Sequence, residues 1–221
     1  MWDPVKAVIF DLDGVIIDSE PIYLENLHTY VCRFRPQVKV EQMYDTVGRS
    51  AADCWERIRE LIGDSRTWQE IRQEYRDTVQ RTLCLDYTAT FRPQTAVLLP
   101  ELKNHGLKLA VASSSGRELV CQVLEQTKIR QWFDVVVSGD QFQESKPNPE
   151  IYHYTASALG IPEKECLAVE DSTVGILAAR NAGIPVAALI DERFSFEQWR
   201  ADYQIQDLGN LLDLVLHRVS H

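Results

Sequence analysis

Four short polar stretches lie far apart in the 221-residue chain, three of them directly after a run of apolar residues. The first is Asp11-Leu12-Asp13-Gly14. If the backbone is still extended there, residues two apart point the same way, so both carboxylates face one point. Gly14 then permits a tight turn. The second, Ser113-Ser114-Ser115-Gly116, offers hydroxyls and free backbone N–H groups ahead of a helix, a combination that suits an anion. The third, Lys146-Pro147-Asn148-Pro149, holds an ammonium on a loop stiffened by two prolines, where it can pair with a carboxylate and a phosphate together. The fourth is Glu170-Asp171-Ser172. Two acids at the end of a buried strand repel one another unless a cation sits between them. Mg²⁺ prefers oxygen ligands and takes one or two carboxylates while retaining waters, so Asp11 with Glu170 and Asp171 forms a suitable set. Singly, the first three stretches also read as a turn, a helix N-cap and a solvated lysine before a helix. Their convergence on one place carries the argument.

That convergence depends on the elements between them. Residues 5–10, 107–112, 135–137, 167–169 and 186–190 are short runs, apolar but for Lys6 and Lys108, as expected of strands buried on both faces of a parallel sheet. Helical patterns over 95–105, 118–128, 149–159 and 173–182 alternate with them, and Gly106, Gly160 and Gly183 act as stop signals. The alternation predicts a doubly wound α/β fold. All strands of a parallel sheet end on one edge, and ligands bind in the crevice outside it. Asp11, Asp13, Ser113, Lys146, Glu170 and Asp171 should meet there. Residues 18–90 differ, being helical in pattern and rich in Glu, Arg and Gln. They predict a helical cap inserted after the first strand of a core made of residues 1–17 and 91–221. Within the cap, residues 64–83 predict an exposed helix with Trp68, Ile71, Tyr75 and Val79 on one face.

Composition narrows the partners. The net charge of −10 disfavours duplex nucleic acid and anionic membrane surfaces. No apolar stretch approaches the roughly 20 residues needed to cross a bilayer. A signal-peptide pattern is lacking, so a cytoplasmic protein is expected, acting as a monomer on a small molecule. The five cysteines form no C-x-x-C pair and read as small, reduced, mostly buried hydrophobes. The five histidines fall in no motif and read as surface or packing residues.

V-I-F-D-L-D-G-V, V-A-S-S-S, S-K-P-N-P and V-E-D-S-x-x-G stand in the order and approximate spacing of the four motifs of the haloacid dehalogenase superfamily. The likeness covers nearly the whole chain. It resembles most the helical-cap branch that includes β-phosphoglucomutase and small sugar phosphatases. The resemblance implies a Rossmann-like core, one Mg²⁺ and a phosphoryl-transfer reaction. It makes Asp11 the nucleophile that becomes an aspartyl-phosphate, and Asp13 the general acid and base. Ser113 would hold the transferring phosphoryl and Lys146 would offset its charge. Asp11, the backbone carbonyl of Asp13, Glu170 and Asp171 would hold the metal. Gly48 and Arg49 in the cap, with Ser114 and Arg117 after the second strand, would contact substrate.

An acid at Asp13 separates the chain from the dehalogenases themselves, which lack one. Tyr23 stands where β-phosphoglucomutase has a His, and Gly116-Arg117 replaces its Lys-Asn pair. The expected function is therefore hydrolysis of a sugar or polyol phosphate. A phosphosugar mutase is the enzymatic alternative, and a non-catalytic phosphometabolite-binding module is the alternative from another class. Gln94 departs from the glycine usual at the far hinge of the cap.

Overall fold

The computed structural model describes residues 4–47, 49–79, 86–194 and 196–219. The chain divides into two compact units. Met1–Asp18, Tyr87–Asp191 and Phe196–His221 form the first, and Ser19–Asp86 with Glu192–Ser195 the second. The helices are α1 (Glu20–Cys32), α2 (Ala51–Ile62), α3 (Trp68–Thr78), α4 (Tyr87–Thr90), α5 (Gln94–Asn104), α6 (Arg117–Gln126), α7 (Glu150–Leu159), α8 (Thr173–Asn181) and α9 (Asn210–Val219). Among the described residues, none is long and apolar enough to cross a membrane.

The first unit is a Rossmann-like α/β fold. Its strands are β1 (Ala7–Phe10), β2 (Lys108–Ser113), β3 (Val135–Ser138), β4 (Cys166–Glu170), β5 (Val186–Leu189) and β6 (Tyr203–Ile205). They form one sheet in the order β3-β2-β1-β4-β5-β6, and every neighbouring pair is parallel. The apolar runs became strands because both faces are covered: every residue of β1, β4 and β5 is buried. Ile9, Ala110, Ala168 and Val186 pack with Tyr152, Ala156, Ile176 and Ala179 in one core. The sequence pattern omitted β6, which has only three residues, one of them the exposed Gln204. Gln94, at the expected hinge, is simply the first residue of α5 and needs no glycine-like backbone.

The second unit is helical around an aromatic centre. The Tyr30 ring lies 5.4 Å from Tyr75 and 6.5 Å from Trp55, and Trp55 lies 5.2 Å from Tyr75. Ser50 caps α2 and Thr67 caps α3 in a reciprocal box with Glu70, satisfying N–H groups that the helix cannot. As patterned, α3 buries Ile71 and Tyr75, with Val79 buried just beyond its end. Residues 80–83 of the expected helix lie outside the described residues. Phe194 joins this unit edge-on to Tyr44. Of the cysteines among the described residues, only Cys166 is fully buried, whereas Cys32, Cys54 and Cys121 are half-buried thiols. Cys84 lies outside the described residues.

Candidate active site

Strand register brings the acids together. Phe10 pairs with Val111 on one side and Val169 on the other, so Asp11 leaves β1 between Ala112 and Glu170. Its N–H donates to Val169 O at 2.9 Å, which continues the ladder by one rung. β1 and β4 also mark the place where strand order turns: β2 and β3 step away on one side, β5 and β6 on the other. Such a switch point opens a crevice at the carboxyl ends of the strands.

Lys146 reaches this place from the loop before α7. Its Nζ donates to Asp11 Oδ1 at 2.6 Å, Glu170 Oε1 at 2.6 Å and Ala112 O at 2.9 Å, filling its three donor positions. Burial works against the ammonium, but Asp11 and Glu170 outweigh it and hold its pKa above the ordinary lysine range. Burial, helped by the Asp11 charge, pushes the Glu170 carboxyl up to about 7, although Lys146 and Tyr152 pull the other way.

The carboxylates of Asp11, Glu170 and Asp171 are all buried, and one oxygen of each lies within 4.8 Å of the others. When all three are ionised, their charge exceeds that of the one Lys146 ammonium paired with Asp11 and Glu170. Glu170 Oε2 is buried and has no hydrogen-bond partner among the described residues. An all-oxygen, acidic, enclosed set fits a hard divalent cation.

Two glycines make room for it. A Cβ on Gly14, whose φ is +81°, would lie 2.0 Å from Asp171 Oδ2, and one on Gly175 would lie 2.0 Å from Glu170 Oε2. Gly14 thus serves both the turn and a close approach of backbone to carboxylate.

Asp13 follows a bend at Leu12. Its side chain is not one of the three grouped carboxylates, and instead Asp13 Oδ2 accepts a hydrogen bond from Ser115 Oγ at 2.8 Å. Ser113, fully buried at the end of β2, accepts the Ser115 N–H at 3.0 Å. The serine loop therefore ties Asp13 to the same strand end as Ser113.

The remaining candidates are Ser114, Arg117, Arg49 and Gly48. Ser114 is exposed, its hydroxyl taking a 3.3 Å hydrogen bond from Ser145. Arg117 is exposed and lines a cavity of about 90 Å³ with Val120, Cys121, Arg130, Val136 and Ser138, a set containing none of the grouped carboxylates. Arg49 belongs to the second unit, where it pairs with Asp45 at 3.6 Å. Gly48 lies outside the described residues.

Two residues at the site escaped the sequence reading. Tyr152, fully buried on α7, donates its hydroxyl to Glu170 Oε1 at 2.5 Å. Burial and the Glu170 charge hold that phenol well above its ordinary pKa, so it keeps its proton. Gln198 donates to Asp171 O at 2.6 Å and Leu189 O at 2.8 Å and accepts the Asp191 N–H at 3.1 Å, clamping the ends of β4 and β5. The only prior signal for Tyr152 is that a buried tyrosine hydroxyl needs a partner. Nothing in its sequence context marks Gln198.

A family model for haloacid dehalogenase-like hydrolases matches residues 8–189. YhcW of Bacillus subtilis (strain 168) is 33% identical, with 98% of each chain covered. Pyrophosphatase PpaX of Bacillus cereus (strain AH820) is 28% identical over 96% of each. Among solved structures, beta-phosphoglucomutase (pgmB) from Clostridium difficile superimposes with a TM-score of 0.74 over 97% of both chains, at 20% identity. That last likeness is one of fold.

Proposed function

The chain belongs to the haloacid dehalogenase-like hydrolases, and we propose that it is a Mg²⁺-dependent phosphatase that cleaves a small phosphorylated metabolite, a sugar or polyol phosphate, through an aspartyl-phosphate on Asp11. The observation that carries this reading is the buried ammonium of Lys146, held 2.6 Å from both Asp11 and Glu170 at the switch point of the sheet. Phosphoryl transfer needs a positioned nucleophile and positive charge beside it more than covalent machinery. A relative named as a pyrophosphatase supports hydrolysis as the chemistry.

In the proposed reaction an Asp11 carboxylate oxygen attacks phosphorus. The bond to the leaving oxygen breaks, and that oxygen takes the proton of Asp13. Asp13, held by Ser115, then accepts a proton from water as the water oxygen attacks the phosphorus of the aspartyl-phosphate, releasing phosphate and regenerating Asp11. Lys146 offsets charge on the nucleophile and on the phosphoryl oxygens, and Ser113 holds that group at the end of β2. Asp11, Glu170 and Asp171, with the Asp13 carbonyl, would hold the Mg²⁺, which supplies further neutralisation of the phosphoryl charge when bound. Gly48, Arg49, Ser114 and Arg117 are proposed as substrate contacts.

The test is phosphate release across a panel of phosphometabolites, with Mg²⁺ and with excess chelator. Release that requires Mg²⁺ is expected. Turnover undiminished by chelator, or none on any phosphate ester including a generic aryl phosphate, would contradict the reading. β-Glucose 1-phosphate with a trace of glucose 1,6-bisphosphate belongs in the panel. Glucose 6-phosphate appearing much faster than free phosphate would make the enzyme a mutase.

A further inference from the structure

We propose that Tyr152 is a positioning residue that decides which oxygen of Glu170 is presented to the divalent cation. The inference rests on the reading that Asp11, Glu170 and Asp171 hold that ion. The two oxygens of Glu170 have unequal surroundings. Oε1 receives two donors, Lys146 Nζ at 2.6 Å and Tyr152 Oη at 2.5 Å. Oε2 receives none among the described residues, although it is equally enclosed. A buried carboxylate oxygen with no donor is costly, and a cation is the ligand that relieves it.

The torsion that turns a glutamate carboxyl is soft and roughly two-fold, so a single donor would not fix one orientation. Lys146 alone is a poor clamp, because its ammonium is shared with Asp11 Oδ1 and Ala112 O. The Tyr152 hydroxyl serves one partner and comes from a different element. Its ring also lies 5.2 Å from Lys146 Nζ, with the ammonium over its face. One side chain thus steadies the carboxylate through its hydroxyl and the ammonium through its π-face. Gly175 completes the arrangement, since any Cβ there would displace Oε2. Outer hydrogen-bond partners of metal ligands have this effect elsewhere, and their loss costs about 10–100-fold in metal affinity.

The test is Mn²⁺ binding to the full chain, followed by electron paramagnetic resonance of the free ion, for wild type and Tyr152→Phe. A control, Thr155→Val, removes another fully buried hydroxyl of α7 that bonds only the helix backbone at Ile151 O. Tyr152→Phe should weaken Mn²⁺ binding about 10-fold or more, whereas Thr155→Val should stay near wild type. Wild-type affinity in Tyr152→Phe, or equal losses in both variants, would overturn the assignment. A wild type that binds no Mn²⁺ would overturn it together with the metal site, which separates the two failures. A crystal structure of wild type with Mn²⁺ supplies a measurement that a misfolded variant cannot block. Oε2 should face the ion with Oε1 on Tyr152, and the reverse arrangement would refute the proposal.

Discussion

In the first unit, Lys146 pairs with Asp11 through side chains only 3% and 10% exposed. In the second, Arg66 pairs with Asp64 and Glu74 through side chains 39%, 16% and 31% exposed. The distances are similar, and Arg66 makes four hydrogen bonds to carboxylates where Lys146 makes two. The difference is water. Arg66 and its partners can separate and be solvated, so most of what the pair gains is recovered on breaking it. Lys146, Asp11 and Glu170 have no such escape, and removing one strands the others in a low-dielectric interior. Position in the fold, rather than the number of ion pairs, therefore separates a site from a surface.

Breaking the buried set should have the largest effect. Lys146→Met leaves three clustered carboxylates without an ammonium and should cost about 3–5 kcal/mol of stability in chelator. Because a divalent cation can replace part of the missing charge, added Mg²⁺ should raise the melting temperature of the variant more than that of wild type. Denaturant unfolding with and without Mg²⁺ checks both statements, and a variant as stable as wild type in chelator would contradict the account of the cluster. An intermediate effect is expected from Gly175→Ala, whose new methyl would sit on the Glu170 carboxylate. Such overpacking costs about 1–3 kcal/mol, and it should weaken Mn²⁺ binding too. Unchanged binding would show that the carboxylate has room to move. Arg66→Ala should be the smallest perturbation, leaving turnover intact and shifting the melting temperature least, with any shift fading at high salt. A loss matching that of Lys146→Met would erase the contrast between the units.

The sequence made the strands legible where burial on both faces leaves a run of apolar residues, as in β1 and β4. It did not reveal β6, whose three residues include an exposed glutamine and form no such run. At the site, Asp11, Lys146, Glu170 and Asp171 could be grouped because each follows a buried strand or sits on a proline-stiffened loop. Asp13 was legible as a second acid beside Asp11, but its hydrogen bond from Ser115, 102 positions away, was not. Tyr152 and Gln198 were illegible for a different reason. Their roles depend on contacts to Glu170 and Asp171, 18 and 27 positions away, and only tertiary packing decides which buried polar group meets which partner. Gly175 was visible as the last residue of V-E-D-S-x-x-G, but its steric reason appears only once the Glu170 carboxylate is placed against it.

The account depends above all on Asp11 carrying the phosphoryl group. The most direct measurement is an acid-quenched single turnover with a radiolabelled substrate found in the panel, followed by digestion and mass spectrometry. The label should appear transiently on the peptide that contains Asp11 in wild type and be absent in Asp11→Asn, which should keep its fold while losing turnover. A wild type that turns over with no label on that peptide, or a pure Asp11→Asn sample that retains most of its activity, would contradict the claim.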